Sequence, residues 1–133
     1  MKGWHVTILA GALMVSLTGF ATQRTNEPVP KYDVATEATF KGTVDEVRDR
    51  SCAVSGSMGS HIVLKLADGK TIEVHLATTK FVHNYELVFA KGDLVEVTGS
   101  KVKFEGVDTI FAREVRRGND TFVFRDQKGN PIW

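Results

Sequence analysis

The stretch that decides the fold is HIVLKLADGKTIEVHL, residues 61–76. Two runs of alternating apolar and polar residues flank the pair Asp68-Gly69, which is a strong local signal for a β-hairpin. The apolar side chains at the even positions of both runs must share one face, because a shift of one residue would bury Lys65. His61 and His75 then share the other face, which we predict to point away from the core.

The length of the turn decides how the two histidines meet. If residues 67–69 form a three-residue loop with Gly69 in the left-handed conformation, His61 lies directly opposite His75. If the loop comprises residues 68–70, the histidines are diagonal neighbours. Both alternatives bring two imidazoles together on one face of the hairpin.

The segment before the hairpin adds two sulfur-containing side chains, Cys52 and Met58. Residues 48–60 are rich in glycine and serine, and we predict a long loop there. Histidine, cysteine and methionine together are the ligands of soft metals, so His61 and His75 with Cys52 or Met58 form a candidate copper or zinc site. The alternative is two surface histidines and two loop side chains that bind nothing.

The remaining strands are indicated by alternation and by its interruptions. Residues 38–47 predict a first strand, whose alternation breaks near Asp45-Glu46. Residues 94–104 predict a long strand, whose alternation breaks at Gly99-Ser100. Each break predicts a bulge or bend in the strand. Residues 78–87 favour a short helix with Thr78 as its N-cap. Further strands are predicted at 108–117 and 121–125, and Trp133 is expected to pack onto the domain.

This order of elements predicts an all-β fold, a five- to six-stranded OB-fold-like Greek-key barrel with one short helix between strands 3 and 4. A six-stranded barrel or sandwich without the helix is the alternative.

Length, charge and cysteine content restrict the class of protein. The 133 residues suffice for one domain, and 42% of them are hydrophobic, as in globular proteins. The formal net charge is +1, so the chain lacks the strongly basic balance typical of nucleic-acid binding. The single cysteine, Cys52, excludes an internal disulfide.

The N-terminus has the pattern of an export signal. Lys2 precedes an apolar run, and Gly19 and Ala21 are the small residues of a signal-peptide cleavage site. We predict a signal peptide at 1–21, an extended leader or linker at 22–37 and a barrel domain at 38–133. The protein is then periplasmic or secreted, with no membrane contact after cleavage; an uncleaved anchor is the alternative.

Parts of the chain resemble a known group of proteins. The segments FKGTV (40–44), the hairpin around Gly69 and KGDLVEVTG (91–99) resemble small exported bacterial OB-fold proteins, over roughly residues 38–115. The closing segment RDQKGNPIW (125–133) and the two hairpin histidines resemble an uncharacterised subset of them. The resemblance implies export and a binding role, and it brings no catalytic residues.

A binding module follows as the expected function. OB barrels commonly bind ligands across strands 2 and 3, which here means the hairpin at 61–76. The candidate ligand-binding residues are Lys65 and Glu73 on the hairpin and Arg48, Arg50, Lys101 and Lys103 on the segments around it. The expected partner is a small ligand, a metal ion or another protein, and a homo-oligomer bridged by strand edges or Cys52 is a third hypothesis. Nucleic acid is disfavoured because the hairpin lacks aromatic stacking residues. Catalysis is also disfavoured, because Cys52 with His61 or His75 is the only candidate for a nucleophile and its base, and no known motif surrounds it.

Overall fold

The structure is a computed structural model that describes Gly3 and residues 28–133. After a 3-10 turn at Val34–Thr36, its elements are β1 (Glu37–Cys52), β2 (Ser57–Leu66), β3 (Thr71–Thr78), α1 (Thr79–Asn84), β4 (Leu94–Phe104), β5 (Val107–Arg117) and β6 (Asp120–Val123). The predicted signal peptide lies outside the described residues, and the domain boundaries stay predictions. None of the described helices is long and apolar enough to cross a membrane.

The six strands form one sheet that closes into a ring. Their order is β3-β2-β1-β4-β5-β6, with antiparallel neighbours throughout. A parallel pairing between β3 and β5 closes the ring and sets His75 beside Phe111. The prediction of an all-β barrel with one short helix between the third and fourth strands is therefore confirmed.

Both predicted bends are present. The pairing of β1 with β2 shifts between Val44 and Glu46, and the pairing of β4 with β5 shifts between Thr98 and Gly99. At Gly99 a Cβ atom would lie 2.3 Å from the carbonyl oxygen of Phe111, so the bend requires glycine. The extra residue is Asp45 on β1 in the first shift and Arg113 on β5 in the second, and both shifts help the sheet to curve until it closes.

The hairpin adopts the three-residue loop. The amide of Leu66 donates to the carbonyl of Lys70 at 2.8 Å, and Gly69 has a φ of 81°. This register pairs His61 with His75 directly. The first of the two predicted registers is therefore the one that forms.

The even-numbered hairpin side chains fill the barrel interior, as predicted. They pack with apolar side chains of the other strands and with α1, which begins at the N-cap Thr78 and covers the interior with Val82. The fully buried core side chains include Val44, Ile62, Leu64, Val74, Leu76, Val97, Ile110, Val115 and Phe124.

The prediction of a long loop at 48–60 is wrong. β1 and β2 continue through most of this segment, with Cys52 paired to Ser57, and only residues 53–56 form a turn. Small side chains such as Gly59 favoured a loop in the sequence, but they also tolerate close pairing of two strands. Cys52 is therefore held at the end of a strand.

The histidines point away from the barrel interior, as predicted, but the alternative of two surface histidines is wrong, because this outer face is not open to solvent. Both are 0% exposed, because a second apolar layer covers the outer face of β2, β3 and β5. This layer consists of Cys52, Phe104 and Phe111 with Tyr32, Val54 and Val102. The segment before β1 and the C-terminal segment cross this face, and Trp133 packs onto the barrel as predicted.

Candidate metal centre

Three side chains with metal-binding atoms meet beneath the outer layer. His61 and His75 lie opposite each other on β2 and β3, with ring centroids 4.9 Å apart and planes at 89°. Cys52, at the end of β1, is 4% exposed. One ring nitrogen of each histidine and the Cys52 sulfur all lie within 4.8 Å of one another. Three neighbouring strands thus bring two nitrogens and one sulfur to one buried point.

The Nδ1 side of His61 is occupied by a charged pair. His61 Nδ1 lies 2.8 Å from Glu73 Oε1, although the contact is not aligned as a hydrogen bond. The same carboxylate oxygen accepts a hydrogen bond from Arg50 Nε at 2.9 Å. Arg50 also contacts the exposed Glu105 at 3.3 Å. An acidic group behind a ligating histidine orients the ring and increases its basicity.

The Nε2 side of His61 faces the space shared with Cys52 and Ser55. A Cβ atom added to Gly59 would lie 2.7 Å from Ser55 Oγ, 3.0 Å from His61 Nε2 and 3.1 Å from Cys52 Cβ. His61 Nε2 has no hydrogen-bond partner, whereas His75 Nε2 lies 2.8 Å from Ser55 Oγ. A buried nitrogen without a partner is costly, so a further donor or an ion in this space would be favourable.

The surroundings keep both histidines neutral. Burial, reinforced by the charge of Arg50 and opposed by Glu73, lowers the pKa of His61 to about 4. Burial, reinforced by His61 and Arg125, lowers the pKa of His75 to about 3. A neutral imidazole has a free lone pair, so neither ring needs to lose a proton before it binds a metal.

The donor set fits copper or zinc. Thiolate and imidazole are ligands of both metals, and neither nitrogen nor sulfur suits magnesium or calcium. Cys52, His61 and His75 would hold the ion, and Ser55 is the nearest further oxygen. Because Cys52 is buried, a disulfide between two copies through Cys52 would require local opening.

The other predicted metal ligand lies elsewhere. Met58 is 47% exposed, and it neighbours Gly59, whose Cβ direction is toward the histidines. Successive side chains of a strand point to opposite faces, so Met58 points away from the centre.

The predicted ligand-binding residues do not assemble into one surface. Glu73 and Arg50 support His61, as described above. Arg48 pairs with Glu46 at 2.7 Å and Lys103 with Asp108 at 3.3 Å, while Lys101 is exposed. Lys65 lines an open cleft of about 920 Å³ at the opposite end of the hairpin, with none of the metal-binding side chains in its wall.

Sequence reasoning missed the aromatic and cationic cover of the centre. Phe111 and Trp133 pack on the His75 ring with centroid separations of 5.9 and 5.6 Å. Arg125 lies over the rings of Tyr32, Phe111 and Trp133 at 5.3 to 5.7 Å. The sequence predicted that Trp133 packs onto the domain, but it did not predict that Trp133 covers His75.

The fold and the site together define an all-β barrel protein with a buried Cys-His-His cluster. The model of the MamS/MamX magnetosome protein family matches residues 36–122, which is most of the barrel. The chain belongs to this family.

Comparisons with individual proteins add little. No curated protein matches the chain. One similar solved structure is that of apo TiaS, a tRNAIle2 agmatidine synthetase, with 21% identity and a TM-score of 0.45. The match covers 67% of this chain and 19% of that one, so this chain spans about a fifth of its length. This likeness carries no argument about function.

Proposed function

We propose that this protein is a binding module for a transition-metal ion, copper or zinc, held by Cys52, His61 and His75. The observation that carries the proposal is the convergence of three buried donor atoms within 4.8 Å. Two of the donors are neutral histidines, and His61 Nε2 lacks any other partner. Such an arrangement is costly for a purely structural core and favourable for a metal site.

The local contacts support a definite role for each residue. Glu73 occupies the Nδ1 side of His61, which leaves Nε2 for the ion. Ser55 hydrogen-bonds His75 Nε2 and would move or become a further ligand when the ion binds. Gly59 leaves the space open, since a side chain there would collide with Ser55 and His61.

The family gives the proposal a setting. Its description as a magnetosome protein family supports a protein that works with the magnetosome, after export by the signal peptide predicted at 1–21. We propose a binding rather than a catalytic role, and a barrel that belongs to the OB-fold. The pairing of β1 with β2 and β4, and of β3 with β5, supports that fold.

The test is metal analysis and titration of the purified protein. We expect one copper or zinc ion per chain in wild type and loss of that binding in His61→Ala/His75→Ala. His83→Ala is the matched control, because His83 is exposed on α1 and should leave binding unchanged. Gly59→Ala should weaken binding by at least about tenfold, whereas Met58→Ala on the opposite face should not. Identical, substoichiometric binding by wild type and the double variant would exclude the proposed function.

A further inference from the structure

Arg125 is a buried cation beside the metal centre. It is 5% exposed, and its Nη1 donates to the carbonyl of Gly129 at 2.9 Å, while its Nε lacks a partner. Within residues 28–133, no carboxylate forms an ion pair with it; three aromatic rings surround it instead. Burial lowers the pKa of Arg125, but a guanidinium remains charged in proteins.

The charge of Arg125 reaches the ligands. It lies over Phe111 and Trp133, the two rings that pack on His75. On the other side of the centre, Arg50 and Glu73 cancel each other as a 2.9 Å ion pair. Glu105 is half exposed and therefore screened by solvent.

This arrangement determines how much positive charge the centre tolerates. When Cys52 binds an ion as a thiolate, the buried charges are Arg125, Arg50, Glu73 and Cys52, and they balance; the nearby Asp49 is exposed and, like Glu105, screened by solvent. A monovalent ion would leave one uncompensated positive charge in the buried region, whereas a divalent ion would leave two. Because charges interact strongly in a desolvated interior, the second charge is markedly less favourable.

The donor set points the same way. Zinc prefers four ligands in a tetrahedron, and the described residues supply three, with a neutral hydroxyl from Ser55 nearby. Glu73 is already engaged by Arg50 and His61. Thiolate suits both ions, but monovalent copper is commonly three-coordinate, so three donors satisfy it without a fourth ligand.

We propose that the centre selects monovalent copper over divalent zinc and that Arg125 is a specificity-determining residue. This inference rests on the proposed metal-binding function. Arg125 acts through its charge, without touching the ion.

The test compares the affinities of wild type, Arg125→Gln and Arg125→Lys for the two ions. Copper(I) is measured under a reductant by competition with a chromophoric copper(I) chelator, and zinc(II) by competition with a zinc indicator. We expect wild type to prefer copper(I). Arg125→Gln should shift the ratio toward zinc by about tenfold, the effect of one charge in a partly screened interior. Arg125→Lys should keep the wild-type ratio.

The matched control is Arg116→Gln, because Arg116 is exposed on β5. Within residues 28–133, Glu96 is the only acidic residue that it contacts. A wild-type protein that binds zinc as tightly as copper(I) would overturn the proposal without any substitution, even if Arg125→Gln fails to fold. An unchanged ratio in a folded Arg125→Gln would also overturn it. Either of these two results would leave the proposed metal binding intact. The absence of any bound metal, in contrast, would refute the proposed function together with this inference.

Discussion

His61 and His75 illustrate how two polar residues become part of an interior. Each is fully buried, and their ring nitrogens are only partly satisfied by Glu73 and Ser55. Placing an imidazole there stabilises its neutral form, which is why both pKa values fall well below the ordinary value of 6.5. In the metal-free protein, this burial makes the free energy of unfolding sensitive to acid.

Stability of the metal-free protein should fall as the pH decreases from about 7 to about 5. In this window the unfolded chain protonates both histidines, whereas the folded chain, with pKa values of about 4 and about 3, does not. Protons therefore favour the unfolded state, by roughly 2–4 kcal/mol over this range. Urea unfolding at both pH values measures the effect.

Other groups, such as Glu37 with its lowered pKa, also make stability depend on pH. The variant His61→Ala/His75→Ala separates the contribution of the two histidines from theirs. The pH dependence should be shallower in this double variant than in wild type. Parallel curves for wild type and the double variant would contradict the burial of two neutral histidines.

At the scale of the elements, the pairing shifts along the long strands β1 and β4 help the sheet to curve until β3 pairs with β5. Their interrupted alternation in the sequence located both bends to within a residue or two. The same kind of reasoning failed for residues 48–60, because glycine and serine are compatible with a loop and with closely paired strands. The alternation of apolar and polar residues therefore predicted where the strands bend. It did not predict where β1 ends, because that depends on its pairing with β2.

Gly99→Ala should destabilise the protein strongly. The added Cβ atom would lie 2.3 Å from the carbonyl oxygen of Phe111, so β4 and β5 must separate locally. We expect a loss of about 2–4 kcal/mol in the free energy of unfolding, measured with denaturant.

Lys101→Ala is the matched control on β4, because Lys101 is exposed and should change stability by less than about 0.5 kcal/mol. Equal stability of the two variants would show that the close approach at Gly99 is absent.

At the scale of the whole molecule, the metal centre depends on segments far from the hairpin in sequence. Alternation along 61–76 predicted that His61 and His75 meet, and this is confirmed by their pairing. It could not predict their burial, because the cover comes from Tyr32 and from the C-terminal segment with Arg125 and Trp133. Such long-range coverage leaves no periodic signal in the sequence.

Trp133→Ala should open the centre to solvent. Loss of the indole over His75 removes part of the cover, with an expected cost of about 1–3 kcal/mol in stability. The thiol of Cys52 should then react at least about tenfold faster with a thiol-specific reagent in the metal-free protein, because local opening becomes easier.

Ile132→Ala serves as the control, since Ile132 is an exposed neighbour of Trp133. Equal thiol reactivity in wild type and Trp133→Ala would mean that the tail does not protect the centre.

The three-residue loop at 67–69 has a consequence for how the family can diverge. The loop length and the alternation of the two strands together set His61 opposite His75, so a change in the loop that shifts the strand register would separate the donors while every donor residue stayed in place. Relatives that retain both histidines but whose turn shifts the strand register should therefore have lost the centre. Turn length is as informative as residue identity when the centre is traced through evolution.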